Sequence, residues 1–328
     1  MTAAFPPGTG VVTVTLNAAI DQTLDVPGFA AGAVNRAVAE TRTAGGKGIN
    51  VAAFLAGASL AGGSVPVTAT GFLGEENTAV FDALFRRRGI RDRCLRLPGR
   101  SRVNIKLVDR EGRSVTDINL PGLHVPAESW RGLLTVVDDL AAANRTFVLS
   151  GSVPAGVPDT AYAEMAATLH RRGAFVVVDA SGPPLRHAVA ARPDMVKPNA
   201  AELAELLGRP LGDRAEVVRA ARELSESGIA LVVVSLGAEG AVFVEGGRAL
   251  LAVPPPVEVA STVGAGDAMV AGVVAARLDG KGPEGAGLEE CARRGTAFAA
   301  GTLARLGPEL PPPERLAELM RAVRVEEL

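Results

Sequence analysis

Short apolar runs alternate along this chain with longer stretches in which apolar residues recur every three or four positions. Val11–Leu16, Thr146–Leu149, Phe175–Val178 and Leu231–Val234 are short, mostly rich in β-branched residues and bounded by Gly, Asn, Ser or Asp. That is the pattern of strands covered on both faces. Helical periodicity covers Ile49–Leu60, Glu76–Arg88, Ala127–Ala143, Thr160–Arg172, Ala200–Leu207 and Ala215–Ser227. Strand and helix in alternation predict an α/β fold with a doubly wound, mostly parallel sheet. Such sheets bind ligands beyond the carboxyl ends of their strands, so the residues just after each strand are the candidates for chemistry.

Two regions break the alternation. In residues 21–43, Thr23–Val26 and Arg36–Arg42 have the pattern of half-exposed strands. In residues 101–119, Arg102, Asn104 and Lys106 alternate with Val103, Ile105 and Leu107, so one face of the strand is polar and the other apolar. Asp109–Arg113 then forms a polar turn into a second strand. Together the two regions predict a small β-sheet lid on a single domain spanning residues 1–328.

Composition narrows the partners. Hydrophobic residues make up 48%, enough for a large core without disulfides. Cys94 and Cys291 show no metal-ligand spacing and fit ordinary thiols in a reducing compartment. Net charge is −2, aromatics are 4%, and Arg86–Arg88 reads as the solvated end of a helix, so nucleic acid is not an expected partner. No apolar run reaches the roughly 18 residues of a membrane span, and the first residues lack the pattern of a signal peptide. The expectation is a cytoplasmic protein with no membrane partner.

Five stretches carry candidate chemistry. In STVGAGDAMVAGVVA, Ser261–Ala275, the small residues Gly264, Ala265 and Gly266 lead into Asp267 and a helix. Free amides at a helix start can cradle a phosphoryl group, and a carboxylate beside it can accept a proton. Asp is equally a common helix cap, and locally the two roles stand about even. In TAGGKGINVA, Gly45 and Gly46 precede Lys47, and Lys47 and Asn50 stand three apart on one helical face, with Asp21 following the first strand. A carboxylate and an amide suit sugar hydroxyls, and a lysine suits a phosphate; a glycine loop with a solvated lysine is the alternative. Arg102, Asn104 and Lys106 form a row of donors for an anion, or an edge strand protected by charge. In VKPNAAEL, Asn199 and Glu202 can reach a hydrated metal or close a capping box. The turn Ser235–Gly237 with Gly240 fits a nucleotide contact or a plain turn. Ser152 lacks the frame of a hydrolase nucleophile, and the histidines are scattered.

Taken together, TLNAAIDQTLDV, AGGKGINVA, TGFLGEEN, RVNIKL, TDINLPG, LSGSVPAG, VKPNAAEL and STVGAGDAMVAG resemble the ribokinase-like (PfkB) carbohydrate kinases, from Val11 to about Gly301. The resemblance is closest to the phosphosugar branch of that family. It implies a Rossmann-like core with a β-sheet lid, and transfer of the γ-phosphoryl of ATP, with Mg²⁺, to a sugar phosphate. Fructose 1-phosphate going to fructose 1,6-bisphosphate is the leading acceptor. Tagatose 6-phosphate and fructose 6-phosphate are the alternatives, and an inactive phosphosugar-binding regulator is the rival of another class. By the same resemblance Asp267 is the base, and the amides of Gly264, Ala265, Gly266 and Asp267 form the anion hole. Asp21, Gly45, Gly46, Asn50 and Asn104 hold the sugar, while Lys47, Arg102 and Lys106 neutralise its phosphate. Lys197, Ser235, Gly237, Gly240 and Thr262 line the ATP side, with Asn199 and Glu202 organising Mg²⁺ through water. A homodimer through the lid is also implied. Ala18, Ser101 and Val153 depart from the family pattern without removing any of these polar groups.

Overall fold

Consecutive apolar residues are buried only where a strand is covered on both faces, and the computed structural model builds its sheet from such runs. It describes residues 8–58, 63–112, 114–259, 261–280, 287–305 and 307–328. In chain order the first part holds β1 (Gly10–Thr15), β2 (Ala19–Asp25), β3 (Ala39–Gly45), α1 (Lys47–Gly57), β4 (Val67–Gly74), α2 (Ala79–Arg88), β5 (Arg91–Asp92) and β6 (Leu95–Leu97). The middle holds β7 (Arg102–Asp109), β8 (Ser114–Asn119), α3 (Ala127–Leu140), β9 (Arg145–Ser150), α4 (Ala161–Arg171), β10 (Phe175–Asp179) and α5 (Gly182–Ala190). Then come β11 (Met195–Val196), α6 (Ala200–Leu207), α7 (Arg214–Glu226), β12 (Leu231–Ser235), β13 (Ala241–Glu245) and β14 (Arg248–Val253). The last part holds α8 (Ala265–Asp279), α9 (Leu288–Leu303), α10 (Pro313–Ala322) and β15 (Arg324–Glu327).

The main sheet runs β5-β4-β1-β9-β10-β11-β12 in parallel and continues antiparallel through β13, β14 and β15, while β6 adds to the end of β4. From β1 the chain first moves to β4 on one side and later to β9 on the other. That reversal opens a crevice beyond the carboxyl ends of the strands. Alternate residues of the strands feed two cores. Val11, Val148, Val177 and Val233 pack with α1, α8 and α9 on one face. Val12, Phe147, Val176 and Val232 pack with α3, α4 and α7 on the other, so the sheet is doubly wound as the alternation predicts.

The lid is a separate sheet ordered β3-β2-β7-β8, with β2 and β7 parallel and the outer pairs antiparallel. Its two segments fall where the alternation is interrupted. The expected strand at Arg36–Arg42 begins instead at Ala39, because pairing with β2 ends where Asp25 meets Ala39. The helix expected from Ile49 starts at Lys47 and runs to Gly57; positions 59 and 60 of that expectation, and position 113 of the lid turn, lie outside the described residues. The expected helix from Glu76 opens as a 3₁₀ turn over Glu75–Asn77 before α2. The helix expected to Ala143 ends at Leu140.

β4 was not expected, since Thr68, Thr70 and Gly71 interrupt its apolar run. Gly71 has φ 131°, and a Cβ there would overlap the Thr15 carbonyl of β1, so only glycine lets these strands meet. Neither Cys94 nor Cys291 is in a disulfide. Among the described residues no helix is long and apolar enough to cross a membrane.

Candidate active site

The glycine-rich turn before α8 sets the centre of the crevice. Gly264, at φ 82°, is the N-cap of α8, and no side chain caps the helix. The cap role open to Asp267 therefore falls to a backbone glycine. The first amides of a helix have no intrahelical carbonyl, so those of Gly266 and Asp267 are available to an anion. Asp267 lies within that first turn and is only 6% exposed. Asn50 Nδ2, one turn into α1, donates to Asp267 Oδ2 at 2.8 Å. Burial, reinforced by the charge of Asp179, pushes the Asp267 carboxyl up to about 7 against the opposing pull of Asn50, Lys47 and Lys197. A carboxyl that titrates near neutrality is matched to general-base work.

Asp179 was not among the candidates. It ends the buried strand β10, and the available signal was a carboxylate directly after Val176–Val178. Its side chain is fully buried and takes Lys47 Nζ at 3.0 Å and Lys197 Nζ at 3.4 Å on the same oxygen, Oδ1. Burial alone would raise its pKa, but the two ammonium groups outweigh it and hold the carboxyl below its ordinary range. Lys47 is shifted the other way: burial lowers its pKa, while Asp179 and then Asp267 raise it further, so it stays charged. In the structure the partner of Lys47 is Asp179, whereas the family resemblance assigns Lys47, with Arg102 and Lys106, to the acceptor's phosphate.

Under the lid lies a cavity of about 280 Å³ lined by Asp21, Thr23, Thr41, Thr43, Asn50, Asn104, Lys106, Asp117, Asn119 and Gly264, among others. Asn104 Nδ2 donates to Asp21 Oδ1 at 2.9 Å, and burial raises the Asp21 carboxyl despite that bond. A Cβ on Gly45 would overlap Asp21 Oδ2, so the glycine at the end of β3 makes room for this carboxylate. Gly46, at φ 112°, turns the chain from the lid into α1. Lys106 Nζ pairs with Asp117 Oδ1 at 2.7 Å on the neighbouring strand. Arg102 is half-buried beside Asp21 with its Nε unpaired, and Asn104 Oδ1 is likewise unpaired. These two buried polar atoms beside Asp21 have unused hydrogen-bonding capacity.

A second cavity, of about 530 Å³, opens on the other side of the same turn. Ser235, Gly237, Gly240, Thr262, Ala265 and Gly266 supply its polar and glycine wall, and Val257, Met269, Ala299, Ala300 and Leu303 its apolar wall. The apolar residues lay outside the candidate set, and Pro254–Pro256 supply a further part of this wall. A Cβ on Gly240 would overlap the Ala252 carbonyl. Asn199 and Glu202 form a complete capping box on α6, each side chain accepting the other's backbone N–H at 2.8 Å. Among the described residues no three acidic, His or Cys side chains converge on a metal. The capping box uses Asn199 Oδ1 and Glu202 Oε2 and leaves Glu202 Oε1 outside it, which fits a hydrated Mg²⁺ reached through water, with its other ligands drawn from phosphate.

The model for the pfkB family of carbohydrate kinases matches residues 11–315. The 1-phosphofructokinase of Rhodobacter capsulatus is 51% identical over 320 residues, covering 97% of this chain and 98% of that protein. The 1-phosphofructokinase of Xanthomonas campestris is 47% identical over 307 residues, covering 91% and 94%. Among solved structures, phosphofructokinase-2 of Escherichia coli in complex with substrates and products superimposes with a TM-score of 0.87 at 29% identity, covering 95% of this chain and 99% of that one.

Proposed function

Because the chain belongs to the pfkB family of carbohydrate kinases, we propose that it is an ATP-dependent 1-phosphofructokinase making fructose 1,6-bisphosphate from fructose 1-phosphate. The observation that carries the reading is Asp267, a buried carboxyl with a pKa near neutrality, on the turn whose Gly264 lines the cavity under the lid and whose Ala265 and Gly266 line the second cavity. The sugar's O6 proton passes to Asp267 as O6 attacks the γ-phosphorus. The γ-phosphorus–oxygen bond to the β-phosphate breaks, and ADP leaves with that electron pair. The amides of Gly266 and Asp267, with that of Ala265 turned to the Thr262 carbonyl, and the ammonium groups of Lys47 and Lys197 face the charge that develops on the moving phosphoryl group. Asp21, Asn50 and Asn104 orient the sugar, and Arg102 and Lys106 meet its phosphate. Asn199 and Glu202 would hold Mg²⁺, which supplies charge neutralisation to the nucleotide phosphates.

Reliance on ATP favours a cytoplasmic location. We also propose a homodimer through the outer face of the lid. Its support is Ile118 on β8, a large apolar side chain left 45% exposed. Sedimentation showing a monomer at working concentration ends that idea. Phosphofructokinase-2 of Escherichia coli has a tetrameric inhibited form, so assembly in that relative goes further.

The testing experiment is a coupled ADP-release assay with MgATP against fructose 1-phosphate, tagatose 6-phosphate, fructose 6-phosphate and fructose. Highest kcat/KM on fructose 1-phosphate is expected. A preference for another phosphosugar keeps Asp267 and changes the acceptor. Binding without turnover on any of them refutes the kinase reading.

A further inference from the structure

Asp179 is a buried carboxylate with an uneven set of partners. Both lysines sit on Oδ1, while Oδ2 has no hydrogen-bond partner. Its in-register neighbour on β9 is Ser150, and Ser150 pairs in turn with Thr15 on β1. In-register residues of parallel strands share a face, so Thr15, Ser150 and Asp179 form one row across the carboxyl edge of the sheet. The hydroxyls of Thr15 and Ser150 are buried and unpartnered as well. A polar row of this kind has room in its hydrogen bonding for ordered water, and it supports a charge that would otherwise be unfavourable in the core.

Two ammonium groups on one carboxylate leave a surplus positive charge, and its placement is specific. A Cβ on Gly266 would lie 3.3 Å from Lys197 Nζ, so this ammonium sits under the first turn of α8. Lys47 opens α1 three residues before Asn50, which bonds to Asp267, and it feels the charges of Asp267 and of Glu202 at the start of α6. The gap between those two helix starts is where a phosphoryl group must pass from nucleotide to sugar. We propose, on the basis of the kinase reading, that Asp179 is a positioning residue for phosphoryl transfer, the buried anchor that aims Lys47 and Lys197 at the transferring group. It touches neither substrate. Its effect is exerted through the two lysines, and so falls on the transition state rather than on sugar binding.

The test uses the full chain with Asp179→Asn, Lys47→Met and the double variant, assayed with MgATP and fructose 1-phosphate. In Asp179→Asn, kcat is expected to fall on the order of 100-fold with KM for the sugar phosphate held within about threefold, since an interaction made in the transition state is lost. In the Lys47→Met background the further loss of Asp179 is expected to cost no more than roughly tenfold, because residues acting as a unit are not additive. This second comparison stands even if the single Asp179→Asn variant does not fold, as the double removes one charge of each sign. An unchanged kcat in Asp179→Asn, a rise in KM alone, or full additivity in the double variant overturns the proposal. Absence of turnover in the unmodified enzyme is a different failure: it overturns the kinase reading, and the role of Asp179 with it.

Discussion

Removing the amide of Asn50 is the sharpest test of how the base is tuned. Asn50 Nδ2 donates to Asp267 Oδ2 at 2.8 Å, and its contribution holds the pKa of that carboxyl down against burial and Asp179. Asn50→Leu keeps the branched shape of the side chain and deletes the donor. A hydrogen bond to a charged group contributes about 1.5–3 kcal/mol, and one pH unit corresponds to 1.36 kcal/mol. Allowing for partial replacement by water, the acid limb of kcat/KM should move up by about one pH unit. With a starting value of about 7, the ionised fraction at pH 7 is roughly half. It falls to roughly a tenth in the variant, an extra loss of about fivefold that fades above about pH 9. The sugar phosphate titrates near 6 itself, so the ratio of variant to wild type is the quantity to plot against pH, since the substrate's ionisation cancels in it. Any loss that persists at high pH reports the second role of Asn50 in the sugar cavity. An acid limb that stays in place or moves down would falsify the electrostatic account of Asp267.

Further predictions follow from the same geometry. Asp267 has its pKa raised in the folded state, so its contribution to stability is fully present below its ordinary value and is lost as pH rises through about 7. Asp267→Asn should therefore abolish turnover yet melt at a higher temperature than wild type at about pH 9, with the gap closing toward about pH 5; a constant gap across that range refutes the linkage. Gly45→Ala forces a methyl group onto Asp21 Oδ2 and should raise KM for the sugar phosphate with kcat less affected, measured in the same assay. Lys106→Ala should raise KM for a phosphorylated sugar about tenfold more than for its unphosphorylated analogue. Equal effects on both would remove Lys106 from the phosphate contact. Gly71→Ala, which drives a methyl group into the Thr15 carbonyl, should give little folded protein by circular dichroism.

The parts of the architecture that follow from burial were legible in the sequence. Continuous apolar runs such as Phe175–Val178 can only be sheet core, and α6 begins and ends where its periodicity and Asn199 put it. The lid was legible from a change of period, because Arg102, Asn104 and Lys106 alternate with apolar neighbours. β4 was hidden, since a strand held against β1 by a glycine looks like a loop in a linear pattern. Asp267, Asn50 and Asp21 were recognisable because each sits beside a glycine turn or strand end. Asp179 was not, because a single Asp after a strand is indistinguishable from a turn residue until Lys47 and Lys197 arrive from 132 and 18 positions away. Lys47 shows the same limit from the other side: spacing put it on the correct helix face but could not say which anion it would meet.

The short junction between β3 and α1 has a consequence for how the enzyme treats water. Gly45 ends a lid strand, Gly46 turns, and Lys47 opens the helix that carries Asn50. The wall of the cavity under the lid and the groups that tune Asp267 are thus one continuous piece of backbone. Water is a competent nucleophile and needs no lid to reach Asp267, so an enzyme of this kind is exposed to idle hydrolysis of ATP. Because Gly46 alone joins the two, any displacement of the β3 end of the lid is carried along the backbone to Lys47 and Asn50. A single water molecule cannot fill a cavity of about 280 Å³ and so displaces no strand, and thrift with ATP becomes a matter of leverage.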